Sequence, residues 1–227
     1  MEAHQASQNQ RMRTDLDVLL VVRLLGQYVE GLLRSGWHHL LVQLSDWVGT
    51  QIDIAEAMVD SSIIGWDAIE MAVQEHGEGG APRFSHPTAP CIQLTKLAIV
   101  FADEKSLLVS HYQGDDGFGF RLDRRVSPFQ IHGTDGIYRR TQLAELPTGP
   151  VKAVITRTAT GTGDLAELVI DVDDQELLLI AGEISETWTE RLEWRWLDES
   201  TLIFSNPDDA NALDWVPQRN YDERCHR

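Results

Sequence analysis

Cysteine, lysine and long apolar runs are the scarce features of this chain. Two cysteines, Cys91 and Cys225, occur in 227 residues and lie far apart, which excludes a disulfide-stapled scaffold. No stretch approaches the roughly 18 uncharged apolar residues that a membrane-crossing helix needs. Residues 1–13 (MEAHQASQNQRMR) are polar and lack the basic start and apolar run of a secretory leader. The expectation is a cytoplasmic chain with no membrane contact.

Catalytic and metal-binding spacings are also missing. There is no H-E-x-x-H and no G-x-S-x-G, and none of the eight histidines stands at zinc spacing from a cysteine, so neither a metalloprotease helix nor a nucleophile elbow is present. The G-x-G-x-x-A spacing at Gly161–Ala166 follows a strand-like run, as a dinucleotide fingerprint would. That fingerprint needs a helix next; instead Leu165–Val172 alternates and is rich in β-branched residues, so a hairpin loop is expected. Asp171-Val-Asp173-Asp174-Gln-Glu176 resembles a calcium loop only in letters. Its sixth position is Glu176 rather than glycine, and its flanks are strands. No metal, no cofactor and no catalytic residue is expected.

Acid is what the chain has in excess. Asp and Glu number 36 against 19 Lys and Arg, for a net charge of −17. The excess is uneven: residues 1–81 carry −8, residues 82–150 carry +1 and residues 151–227 carry −10. Such a chain repels nucleic acid and attracts basic proteins.

The hydrophobic period divides the chain. Thr14-Asp-Leu-Asp17 has capping-box spacing, and Val18, Val22, Leu25, Val29 and Leu32 step by three and four, predicting helix. A second capping pattern at Thr50–Asp53 precedes Ile54, Ala57 and Met58. Ser62 is read as the cap of a last helix bearing Trp66, Ile69, Val73 and His76. The Gly/Pro-rich stretch that follows (GEGGAPRFSHPTAP, 77–90) is expected to separate domains. Beyond it the period falls to two. Strands are expected at Ile92–Phe101, Leu107–Tyr112, Phe118–Leu122, Ile137–Leu146, Val151–Thr158, Leu165–Val172, Glu176–Ile184, Leu192–Trp196 and Leu202–Phe204, with an irregular stretch from Asp123 to Gly136 and a turn at Asp198–Ser200. Asn206-Pro207-Asp208-Asp209 reads as a helix start: asparagine caps, proline takes the first position and two acids meet the positive end of the dipole.

The expected fold is α+β: a disordered tail (1–13), a helical segment (14–77), a linker (78–90), a curved or closed antiparallel β domain with a short C-terminal helix (91–216) and a polar tail (217–227). The expected function is non-enzymatic binding of a basic protein partner, one concrete form being a bacterial immunity-type protein that covers a toxin. The residues assigned to that contact are the acids Asp171, Asp173, Asp174, Glu183 and Glu186, with Trp188 and Trp215 as aromatic anchors in polar surroundings. Two alternatives stand beside it: a ligand-binding protein or enzyme with a pocket in the curved sheet, and a phage or bacterial assembly component.

Overall fold

A computed structural model describes residues 47–76, 79–114, 117–125, 136–187 and 191–226. The chain divides into Met1–Trp47 and Val48–Arg227; the architecture below is that of the second unit. The expected tail at 1–13 and helix from residue 14 lie outside the described residues.

Residues 47–56 form helix α1. Thr50–Asp53 therefore lies inside a helix and does not start one. Val48, Ile52, Ala55 and then Met58 are buried, a stripe at three- and four-residue spacing. Among the described residues eleven strands follow: β1 (Ser62–Met71), β2 (Ile92–Phe101), β3 (Ser106–Gln113), β4 (Phe118–Arg125), β5 (Tyr138–Gln142), β6 (Gly149–Ala159), β7 (Leu165–Val172), β8 (Gln175–Glu186), β9 (Leu192–Phe204), β10 (Trp215–Val216) and β11 (Tyr221–His226), with helix α2 (Pro207–Asn211) between β9 and β10. The described residues are thus mostly β, and all strand pairs among them are antiparallel except the short β9–β10 pair.

The pairing closes a ring. β9, β8, β7, β6, β1 and β2 are neighbours in turn, and β2 pairs again with β9. Two corners make the closure. Ser62 and Ile63 at the start of β1 face Pro150 and Gly149 of β6, after which β1 continues beside β5 and β6 beside β11. Ile92–Leu94 of β2 face Ile203–Thr201 of β9, and β2 then passes to β3. Each corner strand changes partner along its length, so the ladder closes on itself, while β4, β5, β10 and β11 each pair on one side only. The β4 edge is met by α1, where Gln51 Oε1 accepts the Leu122 N–H at 2.7 Å.

Three sequence expectations are corrected. Residues 62–71 are strand and not helix. Trp66, Ala68 and Glu70 are buried while Asp67, Ile69 and Met71 are less so, a period of two that the spacing Trp66–Ile69–Val73 had masked. The β-branched Ile63, Ile64 and Ile69 suit a pleated surface, and pairing with β2, β5 and β6 decides the matter. Glu70 on the buried face is matched by Arg139 of β5. The glycine- and proline-rich stretch joins β1 to β2 within one sheet, with a bridge between Gln74 and Arg83, and so is not a domain boundary. The tail is not free: Tyr221–His226 pairs with β6.

Two elements form where the sequence placed them, whereas the turn expected at Asp198–Ser200 lies within β9 and the strand expected at Ile137–Leu146 is limited to Tyr138–Gln142. β7 spans Leu165–Val172, and the glycine loop before it is a hairpin turn with Gly161 and Gly163 at positive φ. Asn206 caps α2 by accepting the Asp208 N–H, Pro207 stands first and Asp208 and Asp209 fill the first turn. An aromatic cluster from β9 and β10 packs on the aliphatic face of β8. Trp194, Trp196, Phe204 and Trp215 pack with Leu178, Ile180 and Ile184, and Trp194 meets Trp215 edge-on at 5.9 Å.

Candidate functional site

The residues assigned to partner binding do not form one patch. Asp173 and Asp174 occupy the β7–β8 turn at φ 51° and 66°, and Asp174 pairs with Lys152 at 2.5 Å. Asp171, one residue before the end of β7, stands opposite Glu176. Glu183 lies seven residues further along β8 than Glu176, about 23 Å at a strand rise of 3.3 Å. By alternation it faces the other side of the sheet from Glu176. Glu186 accepts a hydrogen bond from Gln74 Nε2 at 2.8 Å. Trp188 lies outside the described residues. Trp215 is a correction: it is 6% exposed, and its indole Nε1 donates to the Ala210 carbonyl at 2.8 Å. Its polar sequence neighbours line the surface while the ring fills the core, so it offers a partner no anchor.

Of the assigned acids, Glu183 enters an unusual setting. It stands opposite Arg195 on β9. One step back, Gly182 faces Trp196, yet Ala181 faces Thr201. Residues 197–200 have no counterpart on β8 and bulge out of the ladder. Leu197 is held at φ 58°, a left-handed conformation that a branched residue adopts only under constraint. Two glycines make room for the bulge. A side chain at Gly182 would lie 2.5 Å from the Arg195 carbonyl oxygen, and one at Gly117 would lie 2.8 Å from Leu197 Cβ. Backbone comes close on both flanks of the bulge because neither glycine carries a Cβ.

The inner side of the bulge is anchored. Ser200 and Thr201 are buried, Thr201 Oγ1 lies 3.2 Å from His111 Nε2, and the His111 ring packs on Phe120 at 5.4 Å. Burial pulls the His111 pKa down to about 4, against a weaker opposing hydrogen bond with the Ser200 backbone, so the imidazole is neutral at pH 7.

The outer side carries charge. Burial, followed by the like charges of Asp198 and Glu199, raises the Glu183 carboxyl from 4.5 to about 7, and Arg195 opposes this only in part. The Arg195 guanidinium is shared with Glu193 at 3.4 Å. Glu183 is therefore near half-protonated at neutral pH, beside two more acids. Sequence reasoning took Asp198 and Glu199 for a turn, and grouped them with Glu183, Glu186, Glu190 and Glu193 as acids of a solvated hairpin edge. Asp198 and Glu199 are brought to Glu183 by four extra residues in β9, a misfit that only the partner strand defines.

A second charged cluster shows the contrast. Glu167, 0% exposed, accepts two hydrogen bonds from Arg219 at 2.7 and 2.8 Å and one from Arg157 at 3.2 Å. Arg157 also pairs with Glu223 at 2.9 Å. This buried acid is fully matched and ties the C-terminal segment to β6 and β7, a structural arrangement.

Comparison with known proteins returns no matching family model, no matching curated protein and no matching solved structure. Among the described residues, no group of three or more His, Cys, Asp and Glu is arranged to hold a metal ion, and no helix is long and apolar enough to cross a membrane.

Proposed function

We propose that this chain is a non-enzymatic, acidic binding protein that captures a basic protein partner on the β9 bulge, through Glu183, Asp198 and Glu199. The observation that carries the reading is the unmatched charge there. Glu183 holds its proton near neutral pH because burial and two neighbouring acids disfavour its ionised form, whereas the fully buried Glu167 has two arginines. An incoming lysine or arginine would relieve that repulsion, expel the Glu183 proton and gain a favourable ion pair in partly desolvated surroundings. The net charge of −17 steers such a partner at long range. A basic toxin silenced in the cytoplasm is the concrete form of the partner.

An arginine nonapeptide is the probe. Calorimetry at pH 7 in buffers of different ionisation enthalpy should detect proton release on binding. Release should vanish in E183Q, and D198N/E199Q should bind about five- to tenfold more weakly, in line with two charge pairs of up to about 1 kcal/mol each. Binding without proton release, and unchanged by both variants, would refute the assignment.

A further inference from the structure

A pocket of about 170 Å³ opens between the turn that follows α1 and the β2–β3–β4 sheet. Its floor is apolar: Met58 is 2% exposed and Leu107 1%, and Phe101 completes it. That volume is close to the ~150 Å³ cavity that admits benzene, so one ring or a short alkyl chain fits. Its mouth is polar, lined by Ser61, Asp103, Lys105 and Arg124.

The charges at the mouth are not balanced. Lys105 Nζ lies 2.5 Å from Asp103, and the Lys105 hydrogen bonds hold the Asp103 carboxyl below its ordinary value. These two charges cancel. Arg121 on the same strand as Arg124 pairs with Asp123 at 3.2 Å. The Arg124 side chain has neither an ion pair nor a hydrogen bond among the described residues, in a chain where acids outnumber bases by 36 to 19. Arg124 stands directly opposite Leu107 in the β3–β4 register, so the two share a sheet face and the guanidinium reaches the mouth above the apolar floor.

We propose that this pocket binds a small amphipathic monocarboxylate. Its ring or short chain lies on Met58, Phe101 and Leu107, and its carboxylate takes two parallel hydrogen bonds from Arg124. The planar fork of arginine suits a carboxylate, and the floor accounts for the apolar body. The site shares no residue with the β9 bulge, so it stands whether or not a basic protein binds there.

The test uses the full chain and two probes, benzoate and hexanoate, with benzyl alcohol and benzylamine as controls, followed by amide chemical shifts. Benzoate or hexanoate should shift resonances of residues 57–61, 101–107 and 124, and benzyl alcohol should bind at least about tenfold more weakly, as expected for loss of a charge-assisted bidentate contact. R124Q alters an exposed side chain; it should weaken the carboxylates about tenfold and leave benzyl alcohol unchanged. Ala57→Phe, also at an exposed position, should block every probe by filling the mouth. The proposal is overturned if neither carboxylate shifts these residues, if benzyl alcohol or benzylamine binds as tightly as benzoate, or if R124Q binds benzoate like the unaltered chain.

Discussion

Replacing Glu183 by glutamine removes a charge that the folded chain holds at a penalty. Burial and the charges of Asp198 and Glu199 raise this carboxyl from 4.5 to about 7. Between those values the folded chain keeps a proton that the unfolded chain has released. Stability therefore falls as pH rises through the window, and the full penalty is present above pH 7. Each tenfold change in proton affinity is worth about 1.4 kcal/mol. Because Glu183 is partly open to solvent, screening reduces the total to about 1–2 kcal/mol. E183Q carries no such penalty, so it should be more stable than the unaltered chain by about 1–2 kcal/mol at pH 8 and by less than half of that at pH 5. Urea unfolding at the two pH values, with the slope held equal, measures both differences. No gain at pH 8, or an equal gain at both, would show that the acids around the bulge do not repel one another as described.

Three further outcomes follow from the packing. His111 has its pKa lowered to about 4 by burial, so its contribution to stability is complete above its unfolded value of about 6.5 and is lost as pH falls toward 4; its ring signals should stay those of neutral imidazole down to about pH 5, and titration near 6.5 would contradict the burial. Glu167→Ala leaves the buried Arg219 without a carboxylate, while Arg157 keeps Glu223, and should cost about 3–5 kcal/mol in urea unfolding, with faster amide exchange along Tyr221–His226; a loss below about 1 kcal/mol would mean that the network does not hold β11. Gly182→Ala forces a methyl group to 2.5 Å from the Arg195 carbonyl and should cost about 2–3 kcal/mol, whereas Gly65→Ala, with open space around it, should change melting little; equal effects would argue against close backbone contact at the bulge.

What the sequence determined by itself is local. Leu165–Val172 is a strand because its alternation and β-branched content need no knowledge of a partner. Asn206–Asp209 starts a helix because cap, proline and acids act within one turn. Trp194 and Trp196 alternate with Glu193 and Arg195, which marks one face as core. Elsewhere the sequence was ambiguous or silent. In residues 62–71 both the three- and two-residue periods find apolar positions, and pairing on both edges of β1 selects the strand. Tyr221–His226 is polar enough to read as a tail, yet Arg157 and Arg219 fasten this end of the chain to a buried acid. Trp215 has acidic and polar neighbours in sequence, but the turn after α2 points its ring inward. Glu183 looked like one of several acids along the C-terminal third. Asp198 and Glu199 become its neighbours only because β9 is four residues longer than β8 across the bulge, and Gly182 and Gly117 let the backbone close around it. Register, bulges and the meeting of charges depend on contacts between distant residues, which local periodicity does not encode.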